Sequence, residues 1–173
     1  PDPSNDFAFV PHIAGRGPNA IFQFRIDENT GTHSPNDPPR VSPEEELGPR
    51  HFCFHPNGNT IYFSYEQACS VTAYRFDRAA GTLSAFQTIS TLPQGYEGDN
   101  TCAQIQISPN GRFLYAPNRG HNSVACFTVE PDTDELTVIG QTPSEAVPRV
   151  ICVDPQGRFL YAAGIDSGRL ASY

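Results

Sequence analysis

Residues 52–83 read FCFHPNGNTIYFSYEQACSVTAYRFDRAAGTL. Three runs of β-forming residues stand out, Phe52–Phe54, Thr60–Ser64 and Ser70–Phe76, and a fourth, Leu83–Ser90, follows. Turn chemistry separates them. In His55-Pro56-Asn57-Gly58, Pro presets φ and Asn-Gly accepts the positive φ of a tight reversal; Asp77–Gly81 makes the next turn. Side chains alternate across a strand, so Val71, Ala73 and Arg75 share one face and Thr72, Tyr74 and Phe76 the other. No helical period of any length competes with this reading.

The unit recurs as IQISPNGRFLYAPNRGHNSVACFTVEPDTDEL at residues 105–136 and ICVDPQGRFLYAAGIDSGRLASY at residues 151–173. A copy that lacks its first strand, DPSNDFAFVPHIAGRGPNAIFQFRIDENTGTH, spans residues 2–33. Pro3, Pro56, Pro109 and Pro155 are the equivalent positions. A four-stranded antiparallel unit repeating every ~45–50 residues is the pattern of a β-propeller blade. The fold class is therefore all-β, one partial propeller domain with an incomplete blade at 1–48, blades at 49–95 and 96–145, and an incomplete blade at 146–173. Propellers close with about four to eight blades, so the chain is expected to be a fragment, about half of a ring. Its unpaired sheet edges are expected to promote self-association.

Composition narrows the function. The formal charge of -8 disfavours nucleic acid or an anionic membrane as a partner. All 11 basic residues are Arg, which excludes Schiff-base chemistry on Lys. The 5 cysteines, odd in number and without a CxxC pair, signal neither a zinc site nor a disulfide framework; buried free thiols in a reducing, cytoplasmic setting are the expectation. No apolar run approaches a membrane span, and nothing resembles a signal peptide, although the absence of Met suggests that the gene begins further upstream.

Three stretches carry a more specific resemblance: PRHFCFHPNG, STLPQGYEGDNTCAQIQISPNGRFLY and PNGRFLYAPNRGHNSVACFTV. They resemble the seven-bladed propeller lactonases, the family of propeller-type 6-phosphogluconolactonase and fungal carboxymuconate lactonizing enzyme, and the resemblance spans the whole chain. It implies hydrolysis of a sugar-acid lactone, a small anionic substrate, with neither metal nor other cofactor. The rival is a non-catalytic propeller of the YVTN type that binds a protein or glycan, because the repeat core alone, PxGRxLYxxN, is shared with that group.

In such a fold the first strand of each blade lines the channel, and the loop between strands two and three emerges on the same rim. The rim then gathers Arg50, His51 and Arg149 from strand-one approaches and Glu66, Arg119 and His121 from turns, with His12, Arg16 and Asp166 on the flanking blades. Five actual or potential cations on an acidic protein imply an anionic ligand. Lactone hydrolysis needs a base to activate water and donors for the developing oxyanion, so His51 is the candidate base, with Arg50 and Arg119 completing the candidate catalytic set and Gln104, His121, Arg149 and Asn118 as candidate substrate-binding residues. The family often carries a carboxylate at the position of Gln104 and a His at that of Gln106. Arg112 and Arg158 fall on the opposite face, where no catalytic role is expected. His55, Ser108 and Asp154 precede the repeat Pro and read as turn caps. Glu44-Glu45-Glu46 reads as solvated surface, Glu97, Asp99 and Asn100 form only a weak calcium pattern, and no GxSxG elbow supports a serine hydrolase.

Overall fold

A computed structural model describes residues 1–43 and 45–173, so Glu44 of the acidic run lies outside the described residues; Glu45 and Glu46 are exposed. Among the described residues, fourteen strands form four antiparallel sheets. The first sheet holds β1 (Phe7–His12), β2 (Ala20–Ile26) and β3 (His33–Val41). The second runs β4 (Pro49–Phe54), β5 (Thr60–Tyr65), β6 (Ser70–Asp77) and β7 (Thr82–Ser90) in sequential order. The third repeats that order with β8 (Gln106–Ile107), β9 (Phe113–Asn118), β10 (Ser123–Val129) and β11 (Leu136–Pro143). The fourth comprises β12 (Pro148–Val153), β13 (Leu160–Gly164) and β14 (Leu170–Ser172).

The alternation legible in the sequence decides which neighbour each face meets. Ile61, Phe63 and Tyr65 of β5, with Tyr74 and Phe76 of β6, pack against Phe7, Phe9 and Ile21 of the first sheet. Tyr62, Val71 and Ala73 point the other way, into a cluster with Leu114, Ala116 and Phe127 of the third sheet. Every residue of β5 is buried, as a strand covered on both faces requires. Burying a side chain such as Phe63 contributes ~1.5–3 kcal/mol, so these two interfaces hold the sheets together.

Polar staples then fix the register between blades. Both atoms of the Gln87 amide bond to the Leu136 backbone, Nε2 donating to its carbonyl at 2.9 Å and Oε1 accepting its N–H at 2.7 Å. Buried Asp134 accepts from Thr60 Oγ1 at 2.7 Å, Asn57 Nδ2 at 3.1 Å and Arg75 Nη1 at 3.1 Å, all from the preceding blade. The turn caps behave as the sequence indicates: Ser108 Oγ accepts the Phe113 N–H at 3.0 Å, and Asp154 Oδ1 accepts that of Phe159 at 2.8 Å. His55 Nδ1 accepts the Asn57 N–H at 3.2 Å, which leaves Nε2–H to donate to the Gly111 carbonyl at 3.1 Å.

The strands run one residue past the sequence reading at Tyr65, Asp77 and Thr82, and two first strands depart from the repeat. The first strand of the second blade begins at Pro49, three residues before Phe52, because its register slips at Arg50: Pro49 faces Tyr65 while His51 faces Ser64. In the third blade the corresponding strand shrinks to Gln106–Ile107, preceded by an isolated bridge between Cys102 and Asn118. Among the cysteines, Cys69 and Cys102 are buried as expected, but Cys152 is exposed, because alternate residues of β12 face away from the packed side.

Candidate functional site

Arg50 and Arg149 owe their placement to the same local device. Each is the extra residue of a β-bulge at the start of its blade's first strand, skipped in the pairings Pro49↔Tyr65 then His51↔Ser64, and Pro148↔Gly164 then Val150↔Ala163. A bulge re-aims one side chain out of the pleat. Each bulge follows a residue of positive φ, Gly48 at 74° and Val147 at 55°, which turns the chain into the strand. The turn between strands two and three of the preceding blade holds that residue in place: Asn19 Oδ1 accepts the Gly48 N–H at 2.9 Å, and Asn122 Oδ1 accepts the Val147 N–H at 2.8 Å.

Glu66 stands at the centre of the cluster. Its backbone N–H donates to the Gly48 carbonyl at 2.7 Å, and its carboxylate receives Arg50 Nε at 2.8 Å on one oxygen and Arg119 Nη2 on the other. Arg119 Nη2 also donates to the Cys102 carbonyl at 2.8 Å. The Arg50, Glu66 and Arg119 side chains are only 15–16% exposed, so these ion pairs are weakly screened. Two buried donors, Arg50 Nη1 and Arg119 Nε, have no partner among the described residues. One carboxylate thus serves two guanidiniums, leaving donors and net positive charge for a further anion.

His51 is half-buried next to this pair. Burial and the neighbouring charges of Arg50, Arg119 and Arg149, opposed by Glu66, hold its pKa below the usual 6.5, so the imidazole is neutral at neutral pH. Among the described residues its ring has no hydrogen-bond partner. Burial, with Arg119 and Arg149 against Glu66, likewise lowers the pKa of Arg50. Arg149 is exposed, as a contact for the outer end of a ligand would be.

The other expected residues are placed differently. Gln104 Oε1 accepts the Ile151 N–H at 3.2 Å, tying the third blade to the fourth and leaving its NH₂ as the free end. His121 Nδ1 bonds to Ser123 Oγ at 2.7 Å, and its ring meets Tyr96 edge-on at 4.8 Å; it is not among the charges acting on His51. Asn118, expected to touch substrate, is fully buried. Its amide donates to the Thr91 carbonyl at 2.9 Å and accepts from Thr91 Oγ1 at 2.7 Å and Asn100 Nδ2 at 3.0 Å, so it holds the loops beneath the site instead of facing a ligand. An open cleft of about 470 Å³, lined by Asp99, Asn100, Thr101, Arg119, Gly120 and Val147, adjoins the cluster. A Cβ on Gly120 would lie 1.8 Å from the Asp99 carbonyl oxygen, so only Gly lets these two loops meet. Glu97 and Asp99 are exposed, and no group of three His, Cys, Asp or Glu side chains gathers among the described residues.

Glu66, one rim residue among several in the sequence, is central in the structure. Its signal was present in the repeat, where Glu66 follows Pro56 by 10 residues and Arg119 follows Pro109 by 10. The same turn position carries opposite charges in adjacent blades, and the ring of blades brings the two together.

Comparison with known proteins agrees with this architecture. The model of the seven-bladed β-propeller lactonases matches residues 1–173. A 6-phosphogluconolactonase of Serratia proteamaculans is 32% identical over 172 residues, covering 99% of this chain and 51% of that protein. One from Pectobacterium carotovorum is 40% identical over 126 residues, 73% of this chain and 38% of that protein. The structure of the periplasmic gluconolactonase PpgL of Pseudomonas aeruginosa superimposes with a TM-score of 0.91 at 27% identity, covering 99% of this chain and 47% of that one. The chain thus spans about half the length of the Serratia relative and covers about half of the propeller. With its repeated four-stranded sheets and a match over its full length, the chain belongs to the seven-bladed β-propeller lactonase family.

Proposed function

We propose that the propeller to which this chain contributes hydrolyses a sugar-acid lactone of the 6-phosphogluconolactone type, without a metal, at the Arg50–His51–Glu66–Arg119 cluster. One observation carries the reading: a carboxylate clamps two guanidiniums with unpartnered donors, next to an imidazole held neutral and free of protein hydrogen bonds. Relatives named as 6-phosphogluconolactonases supply the reaction class.

In this scheme His51 takes a proton from water as the oxygen attacks the lactone carbonyl. Arg50 and Arg119 donate to the oxyanion that develops, and Glu66 keeps both guanidiniums aimed. The tetrahedral species collapses by breaking the bond to the ring oxygen, which leaves as a hydroxyl with the proton returned by His51. Arg149 and the Gln104 NH₂ hold the anionic tail, and Arg suits phosphate or carboxylate because its donors form a planar fork. The free thiols support a reducing, cytoplasmic location, testable by trapping the thiol state in intact cells. Among the described residues no helix is long and apolar enough to cross a membrane.

The test is lactone ring opening followed by proton release, with the remaining blades of the propeller present, for the parent and His51→Gln. Hydrolysis no faster than the spontaneous rate, or undiminished in the variant, overturns the proposal. A propeller that only binds would capture the lactone without turnover, and the same assay separates that outcome.

A further inference from the structure

The junction between the second and third blades breaks the rule that the other junctions keep. In the first and third blades the turn between strands two and three places an Asn, Asn19 or Asn122, at a positive φ of 50° or 54°, and its side chain caps the residue ahead of Pro49 or Pro148. The second blade places Cys69 at that turn position, 13 residues after Pro56 as Asn122 is 13 after Pro109, with φ 50°. The position it would cap is Thr101, 8 residues before Pro109 as Gly48 is 8 before Pro56, and Cys102 follows it as Pro49 follows Gly48. One half of the inter-blade staple is therefore a cysteine, and a second cysteine stands next to the other half. A non-Gly, non-Asn residue in the left-handed region costs about 1 kcal/mol, a strain that the surrounding structure must sustain.

The two sulfurs share one polar cage. Cys69 Sγ lies 3.2 Å from Asn100 Nδ2, which is 3.0 Å from Asn118 Oδ1, and Cys102 Sγ lies 3.1 Å from Thr91 Oγ1 and 3.7 Å from the same Asn118 oxygen. The neighbouring Cys102 thiol, the Asn100 amide and the charge of Arg119, against burial, bring the Cys69 pKa down to about 6. The neighbouring Cys69 and burial push the Cys102 thiol up. The pair is asymmetric, one sulfur a thiolate and the other a proton-bearing partner. Asn100, which covers Cys69, lines the open cleft, so a small neutral molecule can approach through it.

We propose that Cys69 and Cys102 form a dithiol that hydrogen peroxide converts to an intramolecular disulfide. Cys69 thiolate attacks a peroxide oxygen, the O–O bond breaks, and the departing hydroxide takes a proton from solvent, leaving a sulfenic acid. Cys102 then loses its proton as its sulfur attacks Cys69, the S–S bond forms, the S–O bond breaks and water leaves. Overall, two thiols and one peroxide give one disulfide and two waters. Cys102 also makes two backbone contacts with the neighbouring clamp, its carbonyl accepting Arg119 Nη2 at 2.8 Å and its N–H donating to the Glu66 carbonyl at 3.1 Å. Drawing its sulfur toward Cys69 pulls on both, so oxidation reports to the charged cluster.

The test treats the full chain with dilute hydrogen peroxide at neutral pH, then alkylates remaining thiols under denaturing conditions and maps tryptic peptides. The expected result is loss of two of the 5 thiols, a link joining peptide 51–75 to peptide 79–112 through Cys102, assigned to Cys69 and not Cys53 by chymotryptic cleavage between the two, and full reversal by a dithiol reductant. In Cys102→Ser, dimedone should trap sulfenic acid at Cys69. If that variant fails to fold, the mapping of the unaltered chain still decides. Retention of both thiols while exposed Cys152 oxidises, or a link through Cys53 or Cys126 instead, overturns the proposal.

Discussion

Replacing Glu66 by Gln tests the centre of the cluster most directly. The amide keeps the shape and one acceptor but removes the charge that both guanidiniums use, Arg50 Nε at 2.8 Å and Arg119 Nη2 on the other oxygen. Removing one partner of a buried ion pair costs ~3–5 kcal/mol. The residual exposure of 15–16% and the amide oxygen that remains place Glu66→Gln at the low end, about 3 kcal/mol. For a chain of this size that is a fall of ~6–12 °C in Tm. The two cations left behind form a stronger anion site, so inorganic phosphate should recover the loss; at a hundredfold excess over Kd, binding restores ~2.7 kcal/mol. The assay is thermal unfolding by circular dichroism, in phosphate-free buffer and then with phosphate added at constant ionic strength. An unchanged Tm without phosphate, or a phosphate response no larger than that of the parent chain, would refute the claim that Glu66 balances these two charges.

Other consequences can be checked independently. Because the folded state disfavours the charged form of His51, its contribution to stability is present above the 6.5 of a free imidazole and lost as pH falls through the lower folded value; His51→Gln should flatten stability against pH over that acid window. In lactone hydrolysis the acid limb of kcat/KM should have its midpoint below 6.5, and His51→Gln should cost ~10²–10⁴-fold in rate. Asp134→Ala leaves the fully buried Thr60 hydroxyl without its 2.7 Å partner and places Ala at a φ of 54°, so chemical denaturation should show a loss of about 3 kcal/mol. Gly120→Ala puts a Cβ 1.8 Å from the Asp99 carbonyl oxygen and should detach the Asp99–Thr101 loop, lowering Tm and activity together. The chain leaves β1 and β14 as open sheet edges and should self-associate on its own; a monodisperse monomer by light scattering would contradict this.

The fold was legible because the repeat states it several times. Pro56 with Asn57-Gly58 and Pro109 with Asn110-Gly111 mark the same turn, and the alternation in Ser70–Asp77 sends Val71 and Ala73 to one neighbour and Tyr74 and Phe76 to the other. Local turn chemistry and strand period are properties of a few adjacent residues, so a sequence displays them. The bulges were not legible. Pro-Arg-His reads equally well as a regular strand, and only pairing with Tyr65 and Ser64 reveals that Arg50 is skipped.

The site was legible in its residue types and not in its partnerships. Arg50, His51 and Arg119 share one neighbourhood, yet Asn118 is buried beneath it and Gln104 holds the next blade. An Asn in a turn offers the same donors and acceptors to a ligand as to a neighbouring loop, and only the full count of its hydrogen bonds decides between them. Departures from the repeat proved more informative than its agreements. Glu66 against Arg119 at one turn position, and Cys69 against Asn122 at another, are places where the blade pattern alone requires no change of residue. Both departures meet at the junction of the second and third blades, where Glu66 binds Arg119 and the Cys102 carbonyl binds the same guanidinium. Chemistry on a repeat scaffold must arise where the repeats differ, since identical blades would present identical, symmetrically disposed side chains around the channel. That junction is accordingly where mutagenesis should separate function from fold: substitutions at Glu66 or Cys69 change the site, whereas those at Gln87 or Asp134 loosen the blades.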